Sequence, residues 1–196
     1  MTKLPVILFL ALTCATLHAQ SVIVKGTGAG SVWGTGAGSV RGAATPAIIT
    51  TNTYCDGRFE IVSDSTNVVL DNDSGLTWTR NANLAGTKDW TNAFEYCSNL
   101  TYAAHEDWRL PSIIEFSRNV AFGATNGLID AEPSANDPAL PLGHPFTDIT
   151  TVYYYWSSTM TATNLTDQSW RVYMQNGGVA SATRVNLLYV WPCRGP

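Results

Sequence analysis

The chain has 196 residues, room for one domain with short appendages, and its 45% hydrophobic and 11% aromatic content is that of an ordinary folded protein. Charged residues make up only 13%, about half the usual globular share, so the surface must be solvated by Ser, Thr, Asn and Gly, as in many exported proteins. A formal net charge of −4 argues against a protein-wide field that would draw in nucleic acid or another polyanion.

Residues 1–19 predict the compartment. Lys3 supplies a positive start, Leu4 to Leu12 is an apolar run too short to span a bilayer, and Leu17-His18-Ala19 ends on a small residue before Gln20. This is the pattern of a secretory signal peptide cut after Ala19, which predicts a secreted, cell-surface or periplasmic protein. The alternative, a lipoprotein beginning at Cys14, has only a poor version of its signal in Ala11-Leu12-Thr13. Cleavage removes one base and no acid, leaving 11 − 1 = 10 basic and 15 acidic side chains, a net −5. No later run predicts a membrane span. Cys55, Cys97 and Cys193 survive cleavage, and in an oxidising compartment widely spaced cysteines are usually bridged, an odd number leaving one over. There is no Cys-x-x-Cys, and His105 and His144 stand alone, so no metal site is predicted.

Residues 20–54 read as a Gly-rich repeat and linker ahead of a domain at 55–196. Positions 26–41 repeat Gly-Thr-Gly-Ala-Gly-Ser-Val twice, with glycine mostly at alternate places, unlike collagen's every third. No strand and helix flank the repeat to make it a dinucleotide loop. A flexible or weakly β-structured tether is predicted, with a self-associating stalk as the bolder reading. Arg58–Val62, Asn67–Asp71 and Leu76–Arg80 pattern as short strands, and Asp71-Asn72-Asp73-Ser74-Gly75 as a turn. The turn's two carboxylates are the first fragment of a calcium loop, the only hint of a cofactor in a chain for which none is predicted.

Asp89 is placed to cap a helix running to about Asn99, with Trp90, Ala93, Phe94, Cys97 and Leu100 on one face. Pro111-Ser112-Ile113-Ile114-Glu115 carries a capping box that opens a second helix. Residues 123–150 hold prolines and glycines with little periodicity, and with the 160–168 turn they are the expected recognition surface on a rigid scaffold. Val152–Ser157, Gln168–Gln175 and Val179–Val185 read as strands, the last two joined by Asn176-Gly177, a two-residue hairpin signal. Asn186–Cys193 then closes the domain. This order predicts an α+β fold: two helices, an antiparallel sheet and a long irregular loop.

Six segments in series carry a resemblance. They are Asp71-Asn72-x-x-Gly75-Leu76-Thr77-Trp78-Thr79-Arg80, Trp90-x-x-Ala93-x-x-Tyr96-Cys97 and Asp107-Trp108-Arg109-Leu110-Pro111-Ser112-x-x-Glu115. Tyr155-Trp156-Ser157-Ser158-Thr159, Trp170-x-Val172-x-Met174 and Tyr189-Val190-x-x-Cys193-Arg194-Gly195 complete the set. Across roughly 58–195 the chain resembles the Lcl C-terminal domain family, named for the end domain of a bacterial collagen-like adhesin. The resemblance implies a C-type-lectin-like fold and adhesin-type binding of glycans or matrix proteins. The chain departs from that adhesin in lacking a collagen stalk, and its acidity speaks against a sulfated glycan. The resemblance also implies a bridge, since lectin-like domains tie the first helix to the last strand, where Cys97 and Cys193 lie. Such a closure contributes about 4–5 kcal/mol by chain entropy, less any strain. Cys55 would then be the cysteine left over.

The functional expectation is therefore a non-enzymatic binding module whose partner is a glycan or a surface or matrix protein. A structural cell-envelope or self-assembly role is the alternative. Trp108–Phe116 also resembles the formylglycine-generating enzymes, but those need two neighbouring cysteines near the C-terminus, and only Cys193 lies there. Glu132-Pro133-Ser134 has the look of a calcium-lectin motif but carries Ser for Asn and precedes the Trp156-Ser157-Ser158 strand. Trp108 and Arg109 are read as core and capping residues. The candidate ligand contacts are Arg171, Tyr173 and Arg184, which the alternation can place on one sheet face.

Overall fold

The apolar–polar alternation between Phe59 and Thr79 folds, in the computed structural model, as three antiparallel strands: β3 (Phe59–Val62), β4 (Val68–Asp71) and β5 (Leu76–Thr79). The structure describes residues 21–24, 48–62, 65–117, 126–129, 137–162 and 167–195, so the predicted signal peptide and the Gly-rich repeat lie outside it. Two strands precede this trio, β1 (Ser21–Val24) and β2 (Ile48–Tyr54), in register Ser21–Thr51 through Val24–Ile48. Part of the stretch read as a linker therefore belongs to the sheet, and the repeat is the connection between β1 and β2.

The turn after β4 owes its shape to Gly75, whose φ of 74° is open to glycine at little cost. Asp71 is buried there, its two oxygens held by Arg58 Nε and Nη2 at 3.1 Å each. The same Nη2 donates to the carbonyls of Gly127 and Leu128 at 2.9 and 3.1 Å. Arg58 thus faces both carboxylates of the turn, Asp71 and Asp73.

A second sheet is built from β6 (Thr87–Lys88), β7 (Tyr154–Met160), β8 (Gln168–Tyr173), β9 (Gly178–Thr183) and β10 (Leu188–Tyr189), in the order β6-β10-β7-β8-β9. The single antiparallel sheet expected from sequence is thus two sheets, and β10 runs parallel to β7. The reason lies in the last residues. After β10 the chain leaves the second sheet and β11 (Cys193–Arg194) joins the edge of the first, beside β5. Between them Trp191 is fully buried, its Nε1 donating to Thr79 O at 2.9 Å and its ring 5.7 Å from Tyr155 of β7. The hairpin turn also differs. Four residues separate β8 from β9, because Met174 turns into the core; Gly177 takes φ 71° and Asn176 Oδ1 accepts the Gly178 N–H.

Helix α1 (Trp90–Ser98) starts at Asp89, whose carboxylate accepts the Asn92 N–H at 2.9 Å. It buries Ala93 and Cys97, whereas Phe94, read as inward, sits at the rim with its ring 4.5 Å from Trp90. Helix α2 (Ile113–Phe116) is a single turn. Glu115 accepts from both the N–H and the hydroxyl of Ser112, at 2.7 and 2.9 Å, and is gripped by Arg109 Nη1 and Nη2 at 2.9 and 2.6 Å. Ile113 and Phe116 face the core and Ile114 faces solvent. Trp108 is buried, its Nε1 donating to Tyr102 O.

The long loop and the cysteines are arranged here otherwise than the sequence suggests. Residues 123–150 are not a free recognition loop where they are described. Leu128, Ile129, Ala139, Leu140 and Phe146 all enter the main core, Ala139 N–H donates to Met174 O, and Thr147 bridges to Asn81. Apolar side chains without periodicity carry no signal of burial, which is why the stretch read as a surface loop. The expected Cys97–Cys193 bridge is also not formed: both are buried free thiols. Cys97 packs in the cluster beneath α1 with Trp156 and Leu188, whereas Cys193 packs in the cluster around Trp78 and Trp191, with Arg109 Nη1 3.4 Å from its sulfur.

Candidate functional site

The second sheet presents one flank of its face to α1, and the strand register decides which side chains stand there. Tyr154 pairs with Tyr173 and Trp156 with Arg171, so these four share one side of β7 and β8. Ser169, Arg171 and Tyr173 alternate onto that side, and Trp170, Val172 and Met174 onto the core side. The Arg171 guanidinium lies over the Tyr154 ring at 3.7 Å from its centroid, and that ring is 4.8 Å from Tyr173. Arg184, just past β9, donates from Nε to Ser169 Oγ at 3.1 Å and stacks over Trp90 at 4.4 Å. Trp90 is fixed in turn by its Nε1 bond to Ser157 O at 2.8 Å.

The structure therefore brings the three candidate residues, Arg171, Tyr173 and Arg184, to one half-buried sheet face. It adds two that sequence reasoning missed, Tyr154 and Trp90. The run Tyr153-Tyr154-Tyr155-Trp156 held the signal for Tyr154, since only alternate members can face the core. Nothing local in the sequence pairs Trp90 with Arg184, because that contact crosses from helix to sheet.

Electrostatically the face is unusual for an acidic chain. Among the described residues the ion pairs are Arg58 with Asp71 and Asp73, Arg109 with Glu115, and Arg194 with Asp107. Arg171 and Arg184 have aromatic rings as neighbours and, among the described residues, no carboxylate at ion-pair distance. Arg171 Nε is buried without a hydrogen-bond partner, an unusual cost for a cationic donor unless a ligand or water meets it. Stacking leaves the guanidinium edges free to donate in the plane of the group.

On the other flank of α1 lies an open groove of about 730 Å³, lined among others by Lys88, Asp89, Asn92, Glu95, Tyr96 and Leu187. The Lys88 ammonium sits over the Tyr96 ring at 5.0 Å. The groove is polar and shallow, without a buried charge aimed into it.

Burial holds the Cys193 thiol far above the ordinary range despite the neighbouring Arg109, and pushes Cys97 up to about 12, so neither is a thiolate at neutral pH. Among the described residues no three His, Cys, Asp or Glu side chains gather as a metal site needs. None of the described helices is long and apolar enough to cross a membrane.

These features define an α+β domain of two sheets and two short helices, with an arginine–aromatic face on the second sheet. Residues 67–194 match the model of the Lcl C-terminal domain, and the chain belongs to that family. Strands β1, β2 and β3 precede the matched span, so the first sheet is extended beyond it. No curated protein matches the chain.

Proposed function

We propose that this chain is an exported, non-enzymatic binding module with a C-type-lectin-like fold, recognising a glycan or a surface or matrix protein as an adhesin does. The observation that carries the reading is the pair of guanidinium groups, Arg171 and Arg184, stacked on Tyr154 and Trp90 with no carboxylate at ion-pair distance among the described residues. Edge-on donors meet hydroxyl and carboxylate oxygens, and half-buried aromatic rings beside them meet the apolar face of a sugar ring or a peptide side chain. Holding Arg171 and Tyr154 on paired strands and Trp90 on α1 limits the entropy lost on binding.

The test is a glycan and matrix-protein array probed with the protein and with Arg171→Gln and Arg184→Gln, each with and without calcium. Loss of the bound spots in both variants, with near-UV circular dichroism unchanged, supports the reading. Undiminished binding by both variants sinks it. Binding that needs calcium would move the site away from the two arginines, which repel a cation.

A further inference from the structure

The second sheet ends differently at its two edges. One edge is β6, two residues long and carrying Lys88. The other is β9, six residues, Gly-Val-Ala-Ser-Ala-Thr, all in unbroken register with β8 from Thr183–Gln168 to Gly178–Tyr173. It has no charge, no proline and no bulge, the devices by which folded proteins blunt an edge against intermolecular pairing.

Strand phase identifies the unpaired groups. Arg184 N–H donates to Asp167 O at 2.8 Å, so the odd positions of β8 point toward β9 and bond Ala182, Ala180 and Gly178. Val179, Ser181 and Thr183 consequently direct their main-chain N–H and C=O groups outward. Only the Thr183 carbonyl is used, accepting from Asn186 N–H at 3.0 Å. Along Val179 and Ser181 a complete donor–acceptor–donor–acceptor row faces outward with no protein partner among the described residues.

We infer that this edge pairs with the same edge of a second copy, β9 to β9′, antiparallel about a two-fold axis through Ala180. That register lets Val179 exchange two hydrogen bonds with Ser181 of the other copy, and Ser181 two with its Val179, and leaves the Thr183 carbonyl to Asn186. It sets alanine against alanine at the closest point and brings no like charges together, so the edge is complementary to itself. A heterologous strand has no such fit to commend it, because β9 offers neither charge nor side-chain pocket to select one. The two second sheets become one continuous ten-stranded sheet. Arg171 pairs with Ala180, so Arg171 of one copy and of the other fall on a single cross-strand row, on the same face, about 14 Å apart across three strand spacings. If the proposed binding face holds, the dimer is thereby bivalent.

The experiment needs no ligand, so its failure is separate from that of the binding proposal. Sedimentation velocity and amide hydrogen exchange are run on the protein over a wide concentration range, and on Ser181→Pro, which removes an outward N–H without touching the β8 pairing. Expected are a concentration-dependent dimer, exchange at Val179 and Ser181 that slows as dimer forms while Ala180 and Ala182 do not change, and a monomeric Ser181→Pro. A protein that stays monomeric overturns the inference, as does a dimer in which Val179 and Ser181 exchange as in the monomer. A folded Ser181→Pro that dimerises like the parent overturns it too; should that variant not fold, the exchange data decide alone.

Discussion

Glu115 shows how much one side chain can organise. It holds the start of α2 through Ser112 and anchors Arg109, whose backbone bridges β11 at Cys193. Burial pushes its carboxyl up, but the Arg109 and Ser112 hydrogen bonds outweigh burial and leave it below the usual 4.5. A carboxyl whose folded value is depressed stabilises the fold above its unfolded value and loses that contribution as pH falls through the folded one. Glu115→Gln should therefore be less stable than the parent at neutral pH, by about 1–3 kcal/mol. The gap should close in acid, as urea titrations at a series of pH values will read; a gap that persists in acid would mean the charge is not what matters. The cysteines make a second case. With their thiolates disfavoured by burial, Cys97 and Cys193 should resist alkylation in the native protein and both label once it is unfolded without reductant. Mass spectrometry of the alkylated peptides checks this, and failure to label after unfolding would mean that the two are joined.

At the scale of elements, the segments around 128 and 140 behave as core, although they form no strand or helix. Leu128→Ala and Leu140→Ala should each cost about 2–5 kcal/mol, whereas Leu142→Ala, at a side chain 53% exposed, should cost less than about 0.5 kcal/mol. Chemical denaturation distinguishes these, and equal effects at 140 and 142 would return the segment to the surface. The strands around Phe59–Thr79, the Asp89 cap and the Ser112–Glu115 capping pair were legible because each is fixed by neighbours within a few residues. The same is true of the β8 alternation that lined up Arg171 with Tyr173. What was not legible depends on distance along the chain. The buried loop, the parallel β10–β7 pairing, the Arg58–Asp71 turn with its reach to Gly127, and the Trp90–Arg184 stack all join residues whose partners no local period can name.

Over the whole molecule, the two sheets share one aromatic core. Trp78, Phe116, Tyr155 and Trp191 lie within 5.2–6.5 Å of one another wherever their rings meet, so the sheets are joined through this core even though the second keeps a further cluster beneath α1. Tryptophan fluorescence and far-ultraviolet circular dichroism should consequently trace the same unfolding transition, and two separated transitions would show the sheets to be independent units. The placement of Trp191 and β11 has a further consequence, one of timing. A ribosome delivers a chain from its N-terminus, yet here late residues close both sheets: Leu188–Tyr189 joins β6 to β7, and Cys193–Arg194 seals β5. Until those residues emerge the core lacks its central tryptophan and Arg109 its backbone partner. A chain stopped before Leu188 has most of its strands and no means of locking them. Closure of both sheets therefore waits until the ribosome has released Arg194, and the strands made earlier stay pliable until then.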